Sequence, residues 1–527
     1  MPAPLTAVVD LDTPGPTISR HLYGHFAEHL GRCIYGGFWV GEGSEIPNVE
    51  GIRADVVEAL RALHIPNLRW PGGCFADEYH WADGIGPRQE RPRMVNTHWG
   101  DVVEDNSFGT HEFMRLCELL GTEPYISANV GSGTVRETSD WVEYLTRAGE
   151  APMSSLRSRH GREEPWSLSF FGIGNEPWGC GGNMTAEQYV AVARQHATYA
   201  RNHGQNRLCR IAAGASDDDY AWTETLMKHI TRGLGDHEPA DIFQMISFHC
   251  YTFSGRWADK GHATRFSRDE HWTTMRKAQK VREIIAGHCA VMDAYDPTRK
   301  VGLALDEWGT WWNVEHGTEL GFLFQQNTMR DALVAAVHFE AFHEHAERLR
   351  LANIAQTVNV LQAMLLTEDS QLILTPTYHV FEMSTGHHGA QRLDVRWRST
   401  GASRGNDDAL GAAASSAARG SEGNAPEENV TVSASTKDGG LTVTAANLDP
   451  DAPVHLEVSL RGAEVGELTG RVLAGDDVAD HNTPDRPDQV VPKPYDEARL
   501  QEDTHGQLLS LVIPPAGFVS LSAPVLS

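Results

Sequence analysis

The stretch FFGIGNEPWGCGGNM, residues 170–184, decides how the chain is expected to fold. Its first four residues, FFGI, form a short apolar run of the kind that makes a buried strand. The run ends at an Asn-Glu pair (175–176), and residues 185–204 then follow with helical spacing, beginning with a capping-box pattern of Thr185 and Gln188. A strand that ends in polar residues and leads into a helix is one unit of a parallel α/β sheet.

The same order of strand and helix recurs between residues 21 and 360. Strand-like apolar runs occur at 21–30, 67–73, 123–133, 169–176, 210–217, 246–252, 301–308 and 351–358. Segments with helical spacing lie between them, at 51–63, 110–120, 185–204, 270–287 and 327–347. Eight strands alternating with helices predict an α/β protein with a closed (β/α)8 TIM barrel. An open doubly wound sheet is the alternative, but no G-x-G-x-x-G follows the first strand, and polar residues end nearly every strand instead of gathering at one switch point.

After residue 380 the pattern changes to period-two strands separated by turns. Residues 429–435 and 440–448 flank a Lys-Asp-Gly-Gly turn, and residues 454–460 alternate strictly. This pattern predicts a C-terminal antiparallel β-sandwich, jelly-roll-like, which the early strand 6–12 also joins. The predicted domains are therefore an N-terminal strand segment (1–20), a catalytic barrel (21–380) and a sandwich (381–527). A Gly-, Ala- and Ser-rich insertion at about 401–429 is expected to be a disordered loop.

Composition excludes several classes of protein. A formal charge of −27 over 527 residues argues against a nucleic acid or an anionic membrane as partner, because both need a basic surface. The N-terminus has neither the basic nor the apolar region of a secretory signal, and no apolar window is long enough to span a bilayer. The seven cysteines are scattered and never spaced C-x-x-C, so they are predicted to be reduced thiols in a cytoplasmic protein.

Polar residues end the predicted strands, and in a parallel barrel these ends form the active site. They are Glu28, His29, Arg69, Cys74, Asn129, Asn175, Glu176, His249, Tyr251, Asp306, Glu307, Asn353 and Gln356. Glu176 and Glu307 each end an apolar strand on opposite sides of the ring. Glycoside hydrolysis requires such a pair, since one carboxyl protonates the leaving oxygen while the other attacks the anomeric carbon or activates water.

The remaining groups suit a sugar. Amide, phenol and imidazole groups hydrogen-bond hydroxyls, and Trp99, Trp178, Trp311 and Trp312 offer flat faces to a sugar ring. Arg69 is expected to keep a neighbouring carboxylate ionised. Structural alternatives stay open: Cys74 as a packing residue, His249 and Tyr251 as hydrogen-bonded core residues, and the tryptophans as wall packing.

Two other classes of function compete with a glycosidase. A non-catalytic sugar-binding protein needs aromatic and amide groups but not two opposed carboxyls. A metal-dependent hydrolase needs a ligand cluster, and the candidates are His25, Glu28 and His29 together with the His-rich segment 338–345. Neither is spaced H-E-x-x-H, so no metal and no cofactor are predicted, and the His-rich segment is expected to be solvated helix surface.

Several stretches resemble the bacterial α-L-arabinofuranosidases of glycoside hydrolase family 51. They are LRWPGGCFADEYHWADGIGP (68–87), NTHWGDVVEDNSFGTHEFMRLCELLG (96–121), EPYISANVGSG (123–133), FFGIGNEPWGCGGNM (170–184), SFHCYT (247–252) and ALDEWGTWW (304–312). A Glu after strands 4 and 7 marks a broad superfamily of barrel glycosidases, whereas the Arg-x-Pro-Gly-Gly turn and the Gly-rich tail after residue 176 narrow the resemblance to this family. It covers essentially the whole chain except the insertion.

The resemblance implies a retaining, exo-acting hydrolase that releases terminal, non-reducing α-L-arabinofuranosyl groups from arabinan or arabinoxylan fragments. It implies that Glu176 is the acid/base and Glu307 the nucleophile. The residues implied to bind substrate or to steady the two glutamates are Glu28, Arg69, Cys74, Trp99, Asn129, Asn175, His249, Tyr251, Trp311 and Gln356. A cytoplasmic homo-oligomer, a hexamer or trimer of dimers, is also implied. A β-xylosidase or endo-glucanase on the same barrel is the nearest alternative.

Overall fold

The computed structural model describes residues 3–231, 242–398, 426–504 and 506–526. The predicted insertion at 401–429 lies outside the described residues except for its last four. Within the described part of the chain, no helix is both long enough and apolar enough to cross a membrane.

Eight parallel strands close into a barrel in sequential order, which confirms the predicted fold. Barrel strands 1 to 8 are, in order, Gly24–Phe26, Asn67–Trp70, Glu123–Ala128, Phe170–Ile173, Cys209–Ser216, Met245–Thr252, Gly302–Thr310 and Leu349–Ile354. The helices are Ala54–Ala62, Thr110–Leu120, Val135–Thr146, Pro152–Arg159, Ala186–Tyr199, Tyr220–Thr231, Arg268–Tyr295, Met329–Glu344 and Pro376–Met383. Barrel strands 3 to 8 each contribute one residue to a small apolar cluster, which contains Tyr125, Phe170, Ile211, Met245, Ala304 and Leu351.

The helix after barrel strand 4 begins where the sequence predicts but ends earlier than predicted. Thr185 is the N-cap and forms the predicted capping box with Gln188. The helix ends at Tyr199, five residues before the predicted end. Ala200 leaves the helical conformation, and its carbonyl accepts a hydrogen bond of 2.8 Å from the Arg210 side chain at the start of barrel strand 5. A tertiary contact therefore sets this end of the helix.

Two sheets form the C-terminal sandwich. In one sheet, neighbouring strands follow the order Val395–Trp397, Leu5–Asp10, Val454–Arg461, Gly506–Ile513 and Arg499–Asp503. The path of the other is Gln391–Leu393, Val430–Lys437, Gly440–Asn447, Phe518–Leu526, Thr469–Leu473 and Lys493–Pro494, with Glu464–Val465 pairing beside Phe518–Leu526. The N-terminal strand joins as predicted, although it pairs parallel to Val454–Arg461 in an otherwise antiparallel arrangement. A shared apolar core, including Val9, Val443 and Leu511, lies between the sheets.

The His-rich helix Met329–Glu344 is buried, so the expectation of a solvated surface is wrong. His343 bonds to the Tyr23 hydroxyl (2.7 Å) on the barrel side and to Ser433 Oγ (3.0 Å) on the sandwich side. The helix is covered on both sides, because the sandwich packs on the outside of the barrel at this point. Burial lowers the pKa of His338 to about 4 and that of His343 further below its ordinary value.

A neighbouring buried histidine gives a prediction about stability and pH. His387 lies between Ser435 Oγ (2.7 Å) and Thr444 Oγ1 (3.0 Å), and burial lowers its pKa to about 3. The unfolded chain has an ordinary histidine pKa of about 6.5, so protonation favours the unfolded state as pH falls below that value. Between pH 7.5 and 5.0, the unfolding free energy of the wild type should therefore fall by about 2 kcal/mol relative to His387→Gln.

Urea unfolding of both proteins at the two pH values measures this difference. The comparison with His387→Gln removes the contribution of every other titrating group, because those groups are common to both proteins. A difference in free energy that does not change with pH would contradict the prediction.

Candidate active site

Glu176 and Glu307 meet at the C-terminal end of the barrel. Glu307 lies within barrel strand 7, and Glu176 follows barrel strand 4 in a left-handed backbone conformation (φ +38°). One carboxylate oxygen from each glutamate and one His249 ring nitrogen lie within 4.8 Å of one another. The Glu176 side chain is 19% exposed and the Glu307 side chain is 7% exposed. Two carboxyls far apart in the chain thus face one cavity.

Three donors surround the Glu307 carboxylate. Arg69 Nη1 donates to Oε1 (2.9 Å), and the Tyr251 hydroxyl donates to Oε2 (2.9 Å). His249 Nδ1 lies 3.5 Å from the same Oε2. The Arg69 guanidinium is itself buried, stacks 4.5 Å from the Phe26 ring centroid and donates to Asn175 Oδ1 (2.6 Å). This environment stabilises the negative charge of Glu307.

Glu176 is arranged differently. Burial is the largest influence and raises its pKa above the ordinary value, and the negative charge of Glu307 raises it further against the opposing hydrogen bond from His249. Because its pKa is raised, Glu176 keeps its proton to higher pH than an ordinary glutamate does, which suits a general acid.

His249 lies between the acid pair and Asp306. Its Nδ1 is 2.8 Å from Glu176 Oε1, and its Nε2 is 3.2 Å from Asp306 Oδ1. Burial alone would lower the pKa of His249, but the Glu307 charge and the bonds to Asp306 and Glu176 outweigh it and raise the pKa to about 10. The imidazolium therefore donates to Glu176 through Nδ1 and forms an ion pair with Asp306 through Nε2.

Asp306 was assigned no role from the sequence. Its Oδ2 accepts the Tyr125 hydroxyl (2.6 Å). Burial would raise the pKa of Asp306, but Arg69 and His249 together hold it at about 2. The pairing of barrel strands 6 and 7 shifts register between Leu305 and Glu307, and this bulge allows consecutive acidic residues to contact the site. The sequence signal that could have pointed to a role for Asp306 is the presence of two adjacent acidic residues inside an apolar strand.

Glu28 forms a second polar centre in the same cavity. Trp99 Nε1 (2.9 Å) and the Phe75 backbone N–H (3.2 Å) donate to its Oε1, and Gln356 Nε2 (2.7 Å) donates to its Oε2. Burial and, next, the Glu307 charge raise the pKa of Glu28 to about 7 against these hydrogen bonds. Such a group can exchange hydrogen bonds with sugar hydroxyls.

The cavity is small and is walled on one side. It encloses about 310 Å³ of empty space, including its opening, and is lined by Glu28, Leu30, Gly73, Cys74, Trp99, Glu176, Tyr251, Glu307, Trp311, Leu323, Gln356 and Leu361. The loop after barrel strand 7 packs on the loop that carries Trp99, so closely that a Cβ added at Gly321 would lie 2.4 Å from the Gly100 nitrogen. Trp311 packs edge-on against Tyr251, with ring centroids 5.0 Å apart.

Four other predicted residues form hydrogen bonds to neighbouring protein groups. Asn129 caps its loop, accepting the backbone N–H groups of Ser132 and Gly133, and is not among the residues that line the cavity. Trp178 donates to the Gly214 carbonyl (3.0 Å). Trp312 is buried and donates to an Asp331 carboxylate, and Asn353 donates to the Asn67 side chain below the cavity.

Cys74 and Cys180 form a disulfide, so the prediction of seven reduced thiols is wrong for this pair. They are 106 positions apart in sequence, but the loops after barrel strands 2 and 4 bring their Cα atoms to 5.5 Å. Cys74 lines the cavity, and the Cys180 sulfur lies 3.7 Å from Glu176 Oε2. The other five cysteines are free.

Thiol titration checks the disulfide. We expect five thiols to react when the protein is unfolded in guanidinium without reductant, and seven after treatment with dithiothreitol. Peptide mapping should recover residues 74 and 180 in one cross-linked fragment before reduction. Seven reactive thiols in the unfolded protein without reductant would contradict the disulfide.

The closed parallel barrel and the facing pair of buried glutamates define the protein as a glycoside hydrolase. Residues 59–253 match the family model described as α-L-arabinofuranosidase 1 domain, and residues 306–516 match that of the α-L-arabinofuranosidase C-terminal domain. The chain is 44% identical to an intracellular exo-α-L-arabinofuranosidase of Bacteroides ovatus over 98% of this chain and 95% of that protein. The chain belongs to the α-L-arabinofuranosidases of glycoside hydrolase family 51, and the resemblance identified from its motifs is confirmed.

Solved structures of the family superimpose over the whole chain. The family 51 arabinofuranosidase of Xanthomonas axonopodis pv. citri is 42% identical with a TM-score of 0.89, and 99% of each chain is covered. The arabinose complex of the α-L-arabinofuranosidase from Thermotoga maritima is 29% identical with a TM-score of 0.81, and the match covers 99% of this chain and all of that one.

Proposed function

We propose that the protein is a retaining, exo-acting α-L-arabinofuranosidase. It removes terminal, non-reducing arabinofuranosyl groups from arabinan or arabinoxylan oligosaccharides. The observation that carries the proposal is the separation of Glu176 and Glu307, whose nearest oxygens lie within 4.8 Å. Retaining enzymes hold the two carboxyls about 5–5.5 Å apart, whereas inverting enzymes need about 6.5–9.5 Å to admit a water molecule.

In the first step, the Glu307 carboxylate attacks the anomeric carbon while Glu176 protonates the glycosidic oxygen. The C1–O bond breaks, an ester forms between C1 and Glu307, and the remaining saccharide leaves as an alcohol. His249 donates to Glu176 Oε1, so the acidic proton resides on Oε2. Oε2 is therefore the atom that gives its proton to the glycosidic oxygen in this mechanism.

In the second step, Glu176 is a carboxylate and accepts a proton from water. The water oxygen attacks C1, the ester bond breaks, and Glu307 is released as a carboxylate. The arabinose that leaves has the same anomeric configuration as the substrate. His249 stabilises the Glu176 carboxylate at this stage, because its imidazolium remains within 2.8 Å. One residue thus serves as acid and then as base.

The remaining polar groups suit the hydroxyls of a single furanose. Asn175 Oδ1 is occupied by Arg69, which leaves its amide N–H groups to donate to the 2-hydroxyl, an interaction that strengthens in the transition state. Glu28 and Gln356 face the same cavity and suit the other hydroxyls. The small volume and the wall between the Trp99 loop and Gly321 support exo action over cleavage within a chain.

We propose no metal for this reaction. Glu176, His249 and Glu307 lie close enough together to hold an ion. His249, however, is hydrogen-bonded on one ring nitrogen and paired with Asp306 on the other, and its pKa of about 10 keeps it protonated. A metal ligand must be a neutral imidazole, so the donor set does not fit a cation. Full activity in the presence of a strong chelator would agree with this chemistry.

The decisive experiment measures hydrolysis of three substrates and, separately, the anomeric configuration of the first product. We expect hydrolysis of 4-nitrophenyl α-L-arabinofuranoside, with little on 4-nitrophenyl β-D-xyloside and none on carboxymethylcellulose. Early NMR spectra in the presence of methanol should show the methyl α-L-arabinofuranoside of retained configuration. Preferential xyloside or cellulose cleavage would overturn the substrate assignment, and an inverted first product would overturn the mechanism.

Location and assembly complete the proposal. The relative from Bacteroides ovatus is named as intracellular, and this supports a cytoplasmic enzyme acting on imported oligosaccharides. The resemblance to the family supports a homo-oligomer, a hexamer or trimer of dimers. Light scattering of the purified protein, whose chain mass is 58.0 kDa, measures the number of copies.

A further inference from the structure

Asp77 is a buried carboxylate just outside the cavity, with no role in the two steps above. It ends the short 3-10 helix Cys74–Asp77 that follows barrel strand 2. Its Oδ1 accepts the backbone N–H groups of Val130 and Gly131, each at 2.8 Å, and its Oδ2 accepts that of Asn175 at 2.9 Å. One side chain therefore joins the loops after three consecutive barrel strands.

The contact with Asn175 bears directly on the acid/base. Asn175 precedes Glu176, whose left-handed backbone is costly for a residue with a side chain and must be held by its surroundings. The Asp77 carboxylate fixes the Asn175 N–H, and Arg69 fixes the Asn175 side chain. The peptide that leads into Glu176 is thus held from two directions.

The loop after Glu176 packs closely over the same carboxylate. A Cβ added at Gly181 would lie 2.8 Å from Asp77 Oδ2 and 1.8 Å from the Asn175 carbonyl oxygen. The adjacent Cys74–Cys180 disulfide also joins the loops after barrel strands 2 and 4. It attaches at residue 180, however, and not at Asn175, where the turn begins. Asp77 is therefore the group that reaches the turn where it begins.

We propose that Asp77 is a positioning residue, which acts through the Asn175 backbone to hold Glu176 at its working distance from the glycosidic oxygen. The inference rests on the proposed function, in which Glu176 is the general acid. A misplaced acid fails most where the leaving group needs its proton, whereas an activated aryl group departs without it. Dependence on the leaving group thus separates positioning from general loss of structure.

The test is Asp77→Asn in the full-length protein. An amide of the same size turns an N–H toward a backbone N–H and removes one of the acceptors. We expect kcat/KM, which reports the first step, to fall by about 30-fold on an arabino-oligosaccharide and by no more than about threefold on 2,4-dinitrophenyl α-L-arabinofuranoside.

Asp296→Asn is the matched control. Asp296 is equally buried and its Oδ2 accepts the Val301 N–H (2.8 Å), but it lies before barrel strand 7, at the opposite end of the barrel. We expect this variant to lower the melting temperature and to leave the ratio of the two kcat/KM values at the wild-type level. Asp77→Glu, which keeps the charge, should recover part of the lost kcat/KM and serves as the test if Asp77→Asn does not fold.

Equal losses of kcat/KM on both substrates in the Asp77 variants, or a ratio of the two kcat/KM values like that of Asp296→Asn, would overturn the positioning role. A wild-type protein without activity on either arabinofuranoside would instead refute the proposed function. The two failures are therefore distinguishable in one set of assays.

Discussion

Glu307→Ala is expected to lower kcat by about 10⁴-fold or more on every arabinofuranoside, activated or not. The first step needs a nucleophile whatever the leaving group, and no other described carboxylate oxygen shares its donors Arg69 and Tyr251. Loss of the Glu307 charge should also lower the pKa of Glu176, since that charge contributes to raising it. The measurement is kcat on both 2,4-dinitrophenyl and oligosaccharide substrates.

Glu340→Ala is the matched control for this prediction. Glu340 is also a largely buried glutamate, but it lies in the helix Met329–Glu344, where it pairs with Arg282 and accepts the Val432 N–H. We expect a loss of stability without a large change in kcat. If Glu307→Ala retained activity on the aryl glycoside within about 100-fold of the wild type, its assignment as nucleophile would be wrong.

Glu176→Ala should affect the two steps unequally. With poor leaving groups kcat should fall by about 10³-fold, because proton donation to the leaving oxygen is lost. With 2,4-dinitrophenyl arabinofuranoside the first step survives and the second becomes limiting. Azide should then raise the rate, since it attacks C1 without needing a base, breaks the ester to Glu307 and releases arabinofuranosyl azide of retained configuration.

The pH profile gives a separate readout of the same residue. The raised pKa of Glu176 means that the wild type loses activity as pH rises through that value, because the acid is then deprotonated. This basic limb should disappear from kcat/KM of Glu176→Ala on the activated substrate. If the two glutamate variants responded alike to leaving group, azide and pH, the roles of acid/base and nucleophile would be misassigned.

Much of the site's composition was predictable, because the residues that end parallel strands gather at one end of a barrel. Glu28, Arg69, Cys74, Glu176, Tyr251, Glu307 and Gln356 line the cavity or contact the two glutamates, as expected of residues that end the strands, and Trp99 lines it as expected of an aromatic face for a sugar. Asn129 shows the limit of that argument. An amide at a strand end can bind substrate or cap its own loop, and the two uses leave the same pattern in the sequence.

The errors concern contacts between distant segments. Cys74 and Cys180 show no pairing motif, and the buried His343 lies on a helix whose second neighbour, the sandwich, follows it by about 90 residues. The role of Asp306 depends on a bulge against barrel strand 6. Each of these features follows from packing that no short window of sequence contains.

The sequence by itself determined the eight strands, the helix start at Thr185, the sandwich with its N-terminal strand and the family. The strands, the helix start and the sandwich depend on apolar periodicity, caps and turn residues that act over a few positions, whereas the family was identified from the resemblance of several motifs. Only the tertiary structure decided that Glu176 and Glu307 oxygens lie within 4.8 Å of each other, that His249 is charged and that a disulfide borders Glu176. Closure of the barrel sets those distances, and burial together with neighbouring charge sets those protonation states.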